Sequence, residues 1–168
     1  MEDIKSIEEI NLKEIKNNTK YFKSPADWED QIIYFLIVDR FSDGKEDNRE
    51  LFNPAEDFDS IKETDSVEEW HNWGEKWKGG NLQGVISKLD YLKKLGITVI
   101  WLSPIFKQVS FQESYHGYGI QNFLKVDPHL GSKEDLKELV KEAHKRGIYV
   151  ILDIILNHSG DVFAYEED

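Results

Sequence analysis

The sequence predicts an α/β chain, and three observations predict it. Three apolar runs, Ile32–Val38, Ile97–Leu102 and Tyr149–Leu156, have the length and β-branched or aromatic content of buried strands. Two segments between them, from Leu82 and from Lys133, carry helical spacing with capping residues. The loops are long after each strand and short before it. A parallel barrel shows this asymmetry, because its working face is built from the loops at the C-terminal strand ends. A doubly wound open sheet has the same alternation, and periodicity leaves the two open.

Taken in order, residues 1–30 place Ile4, Ile7, Ile10, Leu12 and Ile15 among charges, a weakly amphipathic pattern that reads as a short helix or an arm. The run IIYFLIV at 32–38 is the first strand, buried on both faces. An acidic, polar loop follows from Ser42 to about Lys78, punctuated by Asn53-Pro54 and by Trp70, Trp73 and Trp77. Leu82, Val85, Ile86, Leu89, Leu92 and Leu95 then recur at helical spacing, and Gly96 stands where a C-terminal cap belongs. ITVIWL is the second strand, ended by Ser103-Pro104, and a further long loop carries YHGYG at 115–119. Ser132 precedes the acidic first turn of a helix over Lys133–Arg146, whose last turn holds His144, Lys145 and Arg146, with Gly147 beyond. The third strand is Tyr149–Leu156.

Composition narrows the function classes. The chain has 168 residues, 39% of them hydrophobic, which is enough for one ordinary globular domain. A formal charge of −12 disfavours a nucleic-acid backbone or an anionic membrane as partner. With no cysteine there is no disulfide framework, no thiolate metal site and no cysteine nucleophile. The N-terminal stretch alternates acids and lysines instead of following a basic start with an apolar run, so a cytoplasmic location is expected.

Chemistry-bearing residues gather after the strands. Strand alternation puts Asp153 and Ile155 on one face, with Asn157 and His158 emerging at the C-terminal mouth. Asp153 is either held by a structural bond or faces a ligand. YHGYG sets two tyrosines and a histidine around glycines that permit close backbone approach, a composition that suits sugar rings as well as ordinary loop packing. The stretch DRFSDGKEDN gathers carboxylates and an amide in a turn, as an oxygen-ligand site for calcium does, without EF-hand spacing. No nucleotide cradle is present.

Together, IYFLIVDRFSDG, GGNLQG, ITVIWLSPIF, YHGYGIQNFLKVDP and GSKEDLKELVKEAHKRGIYVILDIILNH resemble the N-terminal part of the α-amylase family of glycoside hydrolases, over about residues 32–163. The five segments occur in the family's order, and Asp153 to His158 matches its first signature region. The resemblance implies a (β/α)8 TIM barrel acting on α-linked glucans, present here as about three strands and two helices: an arm over 1–30, then a partial barrel over 31–168 that ends after the third strand. It implies that Tyr118 stacks on the sugar beside the scissile bond, that His158 hydrogen-bonds that sugar, and that His116 lies nearby. Asn157 would help bind a structural calcium, and Asp153 would orient an arginine on a fourth strand, outside these residues. Asp43, Asn48, Gly79 and Asn81 match a second calcium site of some members, with Lys45 and Asn81 standing where oxygen or carboxylate donors are often seen. Asn122 replaces an Asp common in the YHGY segment.

A retaining glycosidase needs a nucleophile and an acid/base carboxyl about 5 to 5.5 Å apart. The family takes them from strands four and five, with a further Asp after strand seven. The expectation is therefore a fragment of a carbohydrate-metabolising lineage that has no catalytic carboxylates of its own and is inactive alone. It would bind α-glucan or maltooligosaccharide and self-associate through open strand edges. The alternative is a non-catalytic module that binds α-glucan or a partner chain. A third reading makes Asp153 and His158 ligands of a catalytic metal, without an HxH or HExxH motif to support it.

Overall fold

A computed structural model describes residues 5–18, 21–49 and 74–163. Trp70, Trp73 and much of the first long loop lie outside the described residues. Helix α1 spans Leu12–Asn18 near the N-terminus, where the Asn11 side chain accepts the Glu14 amide. Strand β1 is Ile33–Leu36, followed by one helical turn, α2, at Val38–Phe41. Helices α3, Leu82–Ser87, and α4, Leu89–Lys94, lead to β2, Val99–Leu102. Strands β3, Phe106–Gln108, and β4, Ile120–Val126, precede helix α5, Lys133–Lys145, and strand β5, Tyr149–Leu152.

β1, β2 and β5 form a parallel sheet in the order β1-β2-β5, with Ile33 opposite Val99 and Val99 opposite Tyr149. Parallel neighbours need a crossover, and the helices supply it: α3 and α4 connect β1 to β2, while α5 connects β2 to β5. The expected single helix from Leu82 is in fact two. Asn81 caps α3 by accepting the Gly84 amide at 2.9 Å, but Lys88 leaves helical geometry at φ −103°, ψ 2°, and α4 starts after it. Gly96 ends α4 at φ +89°, a left-handed conformation that favours glycine at a helix C-terminus. α5 starts with a capping box, in which Ser132 accepts the Asp135 amide and Asp135 accepts the Ser132 amide.

The core lies between these helices and one face of the sheet. Leu36, Ile100 and Leu102 pack there with Leu82, Val85, Leu89, Leu92, Leu139 and Ala143. Each leucine fully buried in this layer contributes about 2 kcal/mol. The other face differs from the expectation of strands buried on both sides: Phe35 remains 44% exposed and Trp101 39%, their rings meeting edge-on at 5.2 Å. Strand alternation sends these residues away from the helix layer, and among the described residues no second layer covers them. A cavity of about 310 Å³ runs along the open edge of β1, lined by Tyr34, Phe35, Ile37 and Arg40. At the opposite strand ends, Phe22 stacks on His144 at 4.1 Å, and Trp28 tilts onto Tyr149 at 6.0 Å.

The segment between β2 and α5 is not a plain loop. β3 and β4 pair as an antiparallel hairpin whose register shifts on both sides of Lys107. Its alternation escapes notice in sequence because β4 is largely exposed, with Ile120 buried and Phe123 and Leu124 partly open. The third parallel strand stops at Leu152, four residues earlier than its apolar run suggests, and Ile154 and Leu156 are exposed. No helix among the described residues is long and apolar enough to cross a membrane.

Candidate functional site

The hairpin carries YHGYG back to the C-terminal end of the sheet. Its anchor is Gln108, a buried polar residue that carries no signal in the sequence. The Gln108 side-chain oxygen accepts the Gly119 amide at 2.7 Å, its own amide donates to buried Asp127 at 2.8 Å, and Val109 donates to the Gly119 carbonyl. Buried polar groups are stable only when paired, so these bonds fix the loop's exit direction. Gly117 fixes the turn itself. It sits at φ +92°, and a Cβ there would lie 2.1 Å from the Pro104 carbonyl oxygen, so a side chain has neither the conformation nor the space.

With the loop held this way, Tyr118 reaches β5. Its hydroxyl donates to Asp153 Oδ2 at 3.0 Å, while the Asp153 amide continues the ladder by donating to the Leu102 carbonyl at 3.2 Å. Asp153 is therefore half-buried and partnered. His158 approaches the same loop from the other side, with Nε2 3.2 Å from the Tyr118 carbonyl oxygen. The Gly160 amide donates to the Ile120 carbonyl at 2.8 Å, pinning the segment after β5 against β4. His116 stacks on Tyr118 with ring centres 5.7 Å apart and accepts the Tyr118 amide at Nδ1. Tyr115 closes the group: His116 meets its edge at 5.3 Å, and the Arg40 guanidinium lies 3.7 Å over its ring.

The protonation states follow from these contacts. Burial pushes His116 below its ordinary value, so its ring is neutral and Nδ1 is free to accept. Burial, then the hydrogen bond and charge of Asp153, raise the Tyr118 phenol above its ordinary value, so it stays a donor. A neutral aromatic surface with one carboxylate behind it and exposed imidazole beside it can stack on an apolar ring face and exchange hydrogen bonds with hydroxyls.

Sequence reading names Tyr118, His116, His158 and Asp153, and the fold brings all four together; Asn157 lies exposed beside them. It does not find Gln108 or Asp127, whose value comes from a bulged pairing with no local signature. Nor does it find Arg40, which reaches Tyr115 across the top of β1. Asn122 uses its side-chain oxygen to accept the Leu124 amide at 2.8 Å and so shapes β4.

The described residues do not complete the first implied calcium position, and the donors of the second are engaged elsewhere. Calcium takes six to eight oxygen ligands. Asn157 offers one neutral oxygen, and among the described residues no group of three or more His, Asp or Glu side chains converges on a metal position. At the second position, Asp43 accepts the Lys45 amide and is paired with Arg49, Asn81 spends its oxygen capping α3, and the Gly79 carbonyl accepts the Asn81 amide group at 3.2 Å. Asn48 is exposed in the turn Glu46–Asn48.

Parallel strands joined by helices, with the partnered polar residues at the C-terminal ends, place the chain among the parallel α/β proteins, barrel or open sheet. Residues 35–168 match the family model described as "Alpha amylase, catalytic domain", and the chain belongs to the α-amylase family. It is 44% identical over 137 residues to "Alpha-amylase 2" of Dictyoglomus thermophilum, covering 82% of this chain and 20% of that one. It is 41% identical over 136 residues to "Beta/alpha-amylase" of Paenibacillus polymyxa, covering 81% of this chain and 10% of that one. The crystal structure of an α-amylase from Geobacillus thermoleovorans complexed with acarbose superposes with a TM-score of 0.58 at 44% identity, over 79% of this chain and 24% of that one. The fold is thus part of an α-amylase-type TIM barrel, and the chain spans a tenth to a fifth of the length of these two curated relatives.

Proposed function

We propose that this chain belongs to α-glucan metabolism and forms the sugar-holding wall of an α-amylase-type glycoside hydrolase or transferase site, with the catalytic carboxylate pair supplied from outside its 168 residues. The observation that carries the reading is the Tyr118–Asp153 hydrogen bond. It holds an aromatic ring upright at the mouth, where it can stack on a glucose unit, while His158 and His116 offer ring nitrogens to its hydroxyls. In this reading residues 31–168 are the barrel part and 1–30 an arm. Two acid groups near the mouth have other work. Asp153 is committed to Tyr118, and Glu113 accepts the Trp77 amide at 3.3 Å. A rigid opposing pair of the kind retaining chemistry uses is therefore not built from them.

The test combines binding and turnover. Maltooligosaccharide titrated into the chain shifts the Tyr118 and His158 resonances, weakly, because half a site offers few converging donors; Tyr118→Ala abolishes the shift at His158. Soluble starch releases no reducing ends above a blank without protein. Release that disappears in Asp153→Asn would overturn the reading and make Asp153 a reacting group. Titration without shifts at either residue removes the sugar-binding role.

A further inference from the structure

The turn after α2 brings together Asp43, Glu46, Arg49 and, from the helix junction, Lys88, charges that the sugar site does not use. Asp43 Oδ1 accepts the Lys45 amide at 2.9 Å, and its Oδ2 is in direct contact with the Arg49 guanidinium. Three residues on from Asp43, Glu46 accepts the Asp43 amide at 3.1 Å with one carboxylate oxygen. Its other oxygen faces Lys88 Nζ at 3.0 Å. Lys88 is the residue at which α3 gives way to α4, so this ion pair joins the turn to the crossover helices. Behind it is a cavity of about 100 Å³ whose charged lining is Asp39, Asp43 and Glu46 against Arg40, Arg49 and Lys78.

A divalent cation is held where oxygen donors and negative charge are in excess. Here three carboxylates meet three cationic side chains, and the ammonium of Lys88 adds a fourth from outside. The donors the resemblance would give to a metal are also engaged: the Asp43 carboxylate by Arg49 and Lys45, the Asn81 oxygen by the Gly84 amide. Asp39 is spent as well, since it is buried and accepts the Lys78 and Gly79 amides at 2.9 Å. A guanidinium placed on Asp43 supplies what a metal would supply at that point, a positive charge that draws the carboxylate and its turn inward.

We propose that Arg49 and Lys88 take the place of a bound metal ion in this turn: the conformation of Ser42–Arg49 is held by the chain's own two cations and does not respond to calcium. The proposal does not depend on the sugar-binding reading, because neither Arg49 nor Lys88 touches that site.

The experiment is amide hydrogen exchange on the full chain, read at Asp43 and Lys45, whose amides donate to Glu46 and Asp43. The Ile100 amide in β2 serves as the marker that the sheet is folded. The protein is compared in EDTA and in millimolar calcium. Protection at Asp43 and Lys45 is expected to be the same in both, and to fall by about two- to fivefold in Arg49→Gln and in Lys88→Gln, the range set by ion pairs with an exposed partner. Arg49→Lys, which keeps the charge and loses the fork, retains part of it. Wild-type protection that rises about tenfold with calcium, with the rise abolished by Asp43→Asn, overturns the proposal by making Asp43 a metal ligand. Unchanged protection in both glutamine variants, with Ile100 still protected, overturns it equally.

Discussion

Replacing Tyr118 by phenylalanine removes one oxygen and leaves the ring, so it separates the two jobs assigned to this residue. The lost hydroxyl donates to Asp153 Oδ2 at 3.0 Å. A hydrogen bond to a charged group contributes about 1.5 to 3 kcal/mol when shielded from water. Both residues here are half-buried and water can replace the donor, so solvent brings the loss below that range, to about 1 kcal/mol. In a chain of this length that lowers Tm by about 2 to 4 °C. The difference depends on pH in a defined direction. The wild-type phenol is held above its ordinary value of 10.0 by burial and by Asp153, so the folded state keeps its proton when the unfolded state has lost it. That stabilisation is complete below pH 10 and is lost as pH rises through the folded value. A phenylalanine ring has no proton to lose, and the gap between Tyr118→Phe and wild type therefore closes in alkali. Thermal unfolding followed by near-ultraviolet circular dichroism, at neutral pH and in steps above pH 10, measures both effects. Maltooligosaccharide binding, which in the proposed reading uses the ring, stays within about twofold. Equal Tm values at neutral pH, or a gap that stays constant in alkali, would refute the role of the hydrogen bond; loss of sugar binding in Tyr118→Phe would refute the role of the ring.

Two further outcomes follow from geometry elsewhere. Gly117→Ala puts a methyl 2.1 Å from the Pro104 carbonyl at a φ of +92°, and is expected to cost about 2 kcal/mol or more and to broaden the Tyr118 and His158 resonances; a wild-type melting curve would contradict the close approach. Arg146 bonds Asp90 at 2.8 Å and Glu142 at 2.9 Å, and it holds Asp90 below its ordinary carboxyl value while Lys145 and then Arg146 do the same for Glu142. Stability from both carboxyls is present above their ordinary values of 3.8 and 4.5 and is lost as pH falls through the folded ones, so Arg146→Ala flattens the acid limb of an unfolding titration, and an equally steep limb would count against the cluster.

The alternation of strand and helix was legible in the residues because both signals are local. A β-branched run needs only its own side chains to be recognised, and Ser132 with Asp135 announces α5 through contacts three residues apart. The break at Lys88 was not legible, since Val85, Leu89 and Leu92 keep helical spacing across it. The hairpin of β3 and β4 was hidden for the opposite reason: its pairing partners are 12 or more residues apart and its outer positions are exposed, so no periodic apolar face marks it.

The site divides along the same line. Sequence by itself determined which side chains stand beyond the ends of the strands: Tyr118 between two glycines with His116 just before them, and Asp153 and His158 after an apolar run. Those are properties of neighbours in the chain. Only the tertiary structure decided that Tyr118 and Asp153, 35 residues apart, share a hydrogen bond, and that Gln108 and Asp127 hold the loop that makes it possible. It likewise decided the fate of the acidic turn. Along the chain, Asp43, Glu46 and Asp47 are a surplus of negative charge that invites a metal. Folded, Arg49 and Lys88 fall on Asp43 and Glu46, because the curl of the turn and its packing on the α3–α4 junction set distances that residue order does not encode.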